Sequence, residues 1–388
     1  MRAIKLAVPF MALILGLLFL VVGCGGGGGN NGDDDAADDD AADDDAADDD
    51  AADDDTEQGC VEGDFNPYWG DLHAHTSYSD GEETPADAFA YARDVGQLDI
   101  MVVTDHLEQL YLPFPTTNKW EKCHEQADAA YEPGTYLTDC GFEYGSGFIL
   151  PLFQSTGHNN VFFSADLFPM IQLDFHDFYN SLAQCAACIG QFNHPGDSDH
   201  QNWNNFEYFA DVDENMNLFE FNGDGPTWDM FFEALDVGWH VSPMNNQDNH
   251  SADWGAKNED RSGFYLADLT REDLYNAMKD RRSFMSYDKD ASIKMMANTK
   301  CWMGSIIKSY QTQTVSLAVE VFDGDGDGYA TIELYGPGKM LLDSADCGGQ
   351  DTCSAQFDED VLSPTYFVAR ANQTDGDFLV SAPIWIEP

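Results

Sequence analysis

Positive charge is what this chain has least of. Its 388 residues include 17 lysines and arginines against 71 aspartates and glutamates, a formal net charge of −54. Nucleic acids are gripped chiefly by cations set against phosphates, so the shortage argues against nucleic-acid partners. It persists outside the most acidic stretch: without the 15 aspartates of residues 33–55 the charge is still about −39. Long apolar runs are scarce too. The one at residues 7–22 is broken only by Pro9 and Gly16 and is short for a membrane span. A second Cys-x-x-Cys is missing, which makes Cys185-Ala-Ala-Cys188 read as a structural disulfide in preference to a redox pair or half a zinc knuckle.

The apolar run follows a start that carries Arg2 and Lys5, and it leads into Val21-Val22-Gly23-Cys24. A charged start, an apolar stretch and a small-residue site make a secretory signal over residues 1–23. The cysteine directly after it resembles a bacterial lipobox. That resemblance implies cleavage before Cys24, a lipid on its thiol and, because Gly25 follows in place of aspartate, an outer-membrane anchor. Residues 24–59 then read as a tether. A glycine run and a DDDAA repeat hold nothing that forms a core, and the aspartates repel one another into an extended, solvated spacer. Eight cysteines remain, an even number that suggests disulfides in an exported protein, with Cys123–Cys140 and Cys347–Cys353 the first pairs to try.

From Tyr68 onward, strand-like and helical stretches alternate, the pattern of an α/β fold. Residues 84–95 read as a helix capped by Thr84 with Pro85 in its first turn. Residues 99–104 form a continuous apolar strand, and residues 107–138, rich in aromatics and prolines, read as an insertion over the site mouth. Strands are expected at 142–144, 158–163, 189–193, 217–221 and 241–246, with helices at 175–188, 227–237 and 270–281. After about residue 290 the texture changes to short strands at 314–322, 330–335, 366–371 and 378–386, a small all-β, sandwich-like domain. The expected organisation is therefore a barrel over 60–290 and a β domain over 291–388.

Metal-ready side chains recur at the ends of these apolar strands. Gly70-Asp71-Leu72-His73-Ala74-His75 brings two imidazoles to one face of an extended chain, and Asp80 follows in the next turn. His106 ends the strand at 99–104, Glu143 and His158 sit in strand material, His194 opens an HPG turn, and Asp248 and His250 close a QDNH run. A lone His-x-His is more simply a pair of surface histidines. Six histidines and several acids all placed at strand ends are better read as one cation-filled pocket, because strand ends of an α/β barrel converge on one face.

These motifs, GDLHAHTSYSDG, VVTDH, GFE, GHNNVF, NHPG and QDNH in that order, resemble the PHP (polymerase and histidinol phosphatase) superfamily of metal-dependent hydrolases over roughly residues 66–290. The resemblance implies a distorted seven-stranded (β/α) barrel, TIM-like, that holds two to three divalent ions. His73, His75 and Asp248 would hold the first, Glu143 would bridge it to a second completed by His158 and His194, and Asp80, His106 and His250 would hold the third. A softer likeness, in the QDNH run, Arg281-Arg282-Ser283-Phe284 and the Ala382-Pro383-Ile384-Trp385 end, points to the carbaryl-hydrolase-like (CehA/McbA) branch.

The function this implies is hydrolysis by a hydroxide shared between metals, with zinc, manganese and iron all suited to the ligands. The substrate would be a small molecule carrying a phosphoester or a carbamate, ester or amide bond. The competing class is a non-catalytic surface module that binds glycan or protein, and it would tolerate missing ligands. Asp105, beside His106, is a candidate orienter, and a simple strand-end hydrogen bond explains it equally well. Arg261 is a candidate clamp for an anionic substrate, although a surface salt bridge is the simpler reading of it. Asp323-Gly-Asp325-Gly-Asp327-Gly328 opens like a calcium loop, but its twelfth position is Leu334, so it reads first as a hairpin loop, with incidental calcium binding the second reading. His124, His176, His200 and His240 have no motif partners, and only His200 lies near enough to the HPG turn to reach the pocket. Oligomeric state is not legible.

Overall fold

Ten short strands, most of them buried along their length, build a barrel-like core. The computed structural model describes residues 59–113, 117–145, 157–170, 175–196, 202–221, 226–308 and 313–388. The signal sequence, Cys24, the tether and His200 lie outside them. The described residues, from 59 on, belong to one compact unit. The strands are β1 (Asn66–Asp71), β2 (Ile100–Val103), β3 (Leu137–Cys140), β4 (Phe142–Gly145), β5 (His158–Phe162), β6 (Ile189–Asn193), β7 (Met216–Phe221), β8 (Ser242–Asn245), β9 (Arg261–Leu266) and β10 (Ser283–Ser286).

They form two curved walls. One runs β3-β2-β1-β9-β10 and the other β4-β5-β6-β7-β8. A parallel bridge between His106 and Glu143 joins the walls at one seam. At the other seam Asn245 bonds through its backbone N–H to Ser262 and through its side chain to the Ser286 carbonyl. Parallel pairs (β1–β2, β2–β3, β6–β7, β7–β8) mix with antiparallel ones (β4–β5, β5–β6, β1–β9, β9–β10), so the barrel is distorted.

The helices follow their local signals. Pro85–Asp94 starts on Thr84, whose hydroxyl accepts from the Asp87 N–H while the Asp87 carboxylate reaches back, and it buries Ala88, Phe89 and Ala92. Arg271–Lys279 is capped by Thr270 in the same position. The expected helix at 175–188 is shorter, Phe175–Ala183. The Cys185–Cys188 disulfide closes a turn, with the Cys188 N–H donating to the Cys185 carbonyl at 3.0 Å, and the helical path ends there.

Residues 107–138 are not an insertion. The described residues among them belong to the β2-to-β3 crossover that a parallel pair requires, and residues 137–138 already open β3. Helix Lys119–Ala130 buries Trp120, Cys123 and Ala127 against the barrel, Thr138 bonds to its Ala127 carbonyl, and Cys123–Cys140 ties it to β3. Cys347–Cys353 and Cys60–Cys301 complete the bridges among the described residues.

A β-rich region follows: β11 (Ser292–Ala297), β12 (Cys301–Trp302), β13 (Ile306–Lys308), β14 (Gln313–Phe322), β15 (Tyr329–Gly336), β16 (Met340–Gln350), β17 (Thr352–Val361), β18 (Thr365–Gln373), β19 (Phe378–Ser381) and β20 (Ile384–Glu387). One sheet, β12-β11-β14-β17, faces a second that continues out of the barrel wall through β10–β19 pairing. Ile293, Leu317, Val319, Ile332, Leu334 and Ala369 fill the space between. The loop at Asp323–Gly328 is not a hairpin. β14 is already paired on both edges by β11 and β17, and β15 by β16 and β18, so the loop carries the chain from one sheet to the other.

Candidate metal centre

One rim of the barrel collects every ligand-type side chain that the motifs marked. His73 and His75 lie just past the end of β1, kept extended by an Ala74–Asn249 bridge. His106 follows β2, His194 follows β6, and Asp248 and His250 follow β8. β5 runs antiparallel to its neighbours, so its first residue, His158, reaches the same rim. Glu143 points in from β4. Asp80 comes from the turn after His75.

Glu143 is the hub. Its Oε1 lies 3.1 Å from His158 Nδ1, 3.3 Å from His194 Nε2 and 3.5 Å from His73 Nε2, and its Oε2 lies 2.8 Å from His106 Nδ1 and 3.4 Å from His75 Nε2. Asp248 Oδ1 sits 3.3 Å from His73 Nε2 and 3.1 Å from His75 Nε2. Asp80 Oδ1 faces His106 Nε2 at 3.5 Å and His250 Nε2 at 3.3 Å. The donors fall into overlapping sets whose atoms lie within 4.8 Å of one another: His75, Asp80, His106 and His250; His73, His194 and Asp248; His73, His75 and Glu143; Glu143, His158 and His194. Such clusters of imidazole nitrogen and carboxylate oxygen suit divalent metal ions, the donor chemistry of metal-dependent hydrolases.

The carboxylates and imidazoles also shift one another's protonation. Burial alone would raise the Glu143 carboxyl, but the imidazoles of His158, His73 and His106 outweigh it and hold the group well below the usual carboxylate range. Burial disfavours charge on His73, yet Glu220, Asp248 and Glu143 overcome that and raise its ring well above the ordinary histidine value. His106 and His194, opposed by burial in the same way, are pushed up to about 9 by Glu143. His75 moves the other way, lowered first by burial. Its Nε2 faces His73 Nε2 at 3.3 Å. Two imidazole nitrogens that close cannot both present lone pairs unless a proton or a metal ion stands between them.

Several residues at this rim were missed from sequence. Glu220 on β7 is buried (1 % exposed), reaches His73 Nδ1 at 3.0 Å and accepts the His194 backbone N–H at 2.8 Å. Asn193 donates to Glu143 Oε1 at 3.1 Å, and Gln191 and Asn246 donate to Glu220. A buried acid within the apolar run Met216–Phe221 was the signal available, since such a group needs a partner.

Asp105 makes strand-end hydrogen bonds to the turn after His75 and none to His106, and Arg261 does other work than expected. The Asp105 carboxylate accepts from the Thr76 N–H at 2.7 Å and from the hydroxyls of Thr76 and Ser79, fixing the turn that presents Asp80. Arg261 is buried (4 % exposed) and is neither a substrate clamp nor a surface salt bridge. Its guanidinium donates to the carbonyls of Gly255, Asn258 and Asp260, bracing the loop that follows His250. His240 is also not idle, as its Nδ1 meets Asp213 at 2.6 Å and its Nε2 meets Glu387 at 2.9 Å.

No family model and no curated protein matches the chain. Among solved structures it is similar to a two-domain protein containing a predicted PHP-like metal-dependent phosphoesterase from Bacteroides vulgatus ATCC 8482, at 14 % identity and a TM-score of 0.46, over 86 % of this chain and 99 % of that one. PsfC from Pseudomonas syringae PB-5123 matches at 14 % identity and a TM-score of 0.40, over 56 % of this chain and 90 % of that one. The lesion-specific endonuclease PfuEndoQ from Pyrococcus furiosus matches at 14 % identity and a TM-score of 0.38, over 55 % and 56 %. Identity at that level leaves the function of this chain to its own residues.

Proposed function

We propose that this chain is a PHP-type metal-dependent hydrolase, tethered to a membrane by lipid on Cys24, that cleaves a phosphoester or a carbamate, ester or amide bond of a small molecule. One observation carries the reading: both oxygens of a single buried carboxylate, Glu143, are ringed by imidazoles delivered from different strands. His73, His75 and Asp248 would hold one ion, His158 and His194 a second, with Glu143 between them, and Asp80, His106 and His250 a third. Zinc, manganese and iron all fit these donors. Bound divalent ions would acidify water to a nucleophile at neutral pH and draw charge from the scissile group.

The protein's own part is orientation. Glu220 takes the Nδ1–H of His73, which fixes the ring so that Nε2 faces the pocket. Asn193 holds Glu143 Oε1 from behind, and Asp105 locks the turn that carries Asp80. Arg261 being spent on backbone carbonyls, an anionic substrate would rely on the metal ions for its counter-charge.

The test is turnover of nitrophenyl phosphate, bis-nitrophenyl phosphate and nitrophenyl acetate by the full-length protein supplied with zinc or manganese. Activity on any of these, lost by a factor of about 10³ or more in Glu143→Gln, supports the proposal. Metal uptake without turnover of any of the three contradicts it. The tether is tested separately by palmitate labelling, which Cys24→Ser should abolish.

A further inference from the structure

Outside the metal centre, the described residues hold one other group able to take an ion. Asp288 and Asp290 lie in the connection from β10 to β11, and Asp323 and Asp325 in the inter-sheet loop after β14. One carboxylate oxygen from each lies within 4.8 Å of the other three. Asp288 and Asp323 are buried. Asp323 is already wired to its loop, accepting the N–H groups of Asp325, Gly326 and Gly328. Asp288 accepts the Asp290 N–H.

A neutral residue from a third segment supplies the independent pointer. Gln373, at the end of β18, is 4 % exposed and donates through Nε2 to Asp288 Oδ2 at 2.6 Å. That bond turns the amide nitrogen to Asp288 and sets the side chain beside the cluster. Its Oε1 is buried without a hydrogen-bond partner among the described residues, and the same holds for Asp290 Oδ1. A buried amide oxygen left bare costs about 1–3 kcal/mol. Four carboxylates at this spacing also repel one another. Among the described residues, the one cation bonded to the group is Lys289, which reaches Asp325 Oδ2 at 3.1 Å and is shared with Glu259.

We propose that Asp288, Asp290, Asp323, Asp325 and the Gln373 amide oxygen form a calcium site that pins the β10–β11 connection to the inter-sheet loop. Oxygen donors alone select a hard cation over zinc or iron. Carboxylates drawn from two loops fit calcium, whose oxygens stand about 2.3–2.6 Å away in a tolerant geometry, better than magnesium, which demands a tight octahedron. Gly324 makes the approach possible, since a Cβ there would lie 2.8 Å from Asp290 Oδ2. The loop thereby resembles the opening of an EF-hand without its twelfth-position acid, the remaining ligands coming from sequence-distant chain.

The experiment is thermal unfolding of the full-length protein, its catalytic centre saturated with manganese, with and without calcium at about 1 mM, a level suited to a weak extracellular-type site. Calcium should raise Tm by about 2 °C or more in the wild type. The shift should vanish in Asp290→Asn/Asp325→Asn and shrink in Gln373→Met. Should the double variant fail to fold, Asp325→Asn alone, at a surface side chain, gives the same reading. No shift in the wild type overturns the proposal, and so does an equal shift in the variants, which would place the calcium elsewhere, on the aspartate tether first of all.

Discussion

His73 turns its Nδ1 to Glu220, 3.0 Å away, and so keeps its Nε2 for the pocket where Glu143, Asp248 and His75 converge. Glu220 acts on the centre through that ring and through the His194 backbone N–H, which it accepts at 2.8 Å. Glu220→Gln is expected to lower metal affinity by about 10–100-fold while leaving the fold intact. Competition with a chelator measures it, and an unchanged affinity would remove Glu220 from the centre.

Arg261 separates two readings of the same residue. A substrate clamp, once lost, raises KM and spares stability. A buried guanidinium bonded to three carbonyls does the reverse. Arg261→Met is expected to cost about 2–4 kcal/mol in denaturant unfolding with little change in KM for the folded fraction.

His240 joins Asp213 to Glu387, fastening a barrel loop to the last strand. Burial would lower the ring's affinity for a proton, but the two carboxylates prevail and raise it above the ordinary value. Glu387 is held at about 2, first by His240 and also by Lys308. The signs set a window. The histidine's contribution is complete below its unfolded value near 6.5 and fades as pH rises through the raised folded one. The glutamate's is complete above its unfolded value near 4.3 and fades as pH falls toward 2. Stability from this contact should therefore be greatest at about pH 5–6. His240→Phe should flatten that part of the pH–stability profile and cost about 1.5–3 kcal/mol at its maximum. A profile identical to wild type would contradict the assignment.

What the sequence made legible was whatever rests on local spacing. Thr84 and Thr270 announced their helices because a cap is a contact over three residues. His73, His75, His194 and Asp248 were found because each follows an apolar strand, and Glu143 because it lies inside one. The strands β16 and β17 went unseen: Met340–Gln350 and Thr352–Val361 are largely exposed, so aspartate, glycine and serine hide the period-two signal. The β2–β3 crossover was mistaken for an insertion because its helix Lys119–Ala130 buries only three side chains and lacks a strong apolar stripe. Glu220, the Asp105 turn and the Arg261 brace depend on partners 26 to 147 residues away or on backbone carbonyls, and composition carries no trace of either.

The most direct measurement is the metal content of purified full-length protein by elemental analysis, wild type against Glu143→Gln, each after dialysis with excess zinc or manganese. Two to three ions per chain are expected in the wild type, with at least one lost from the variant together with hydrolysis. A wild type that retains none, or a variant that retains the full complement and still turns over substrate, would contradict a centre built around Glu143.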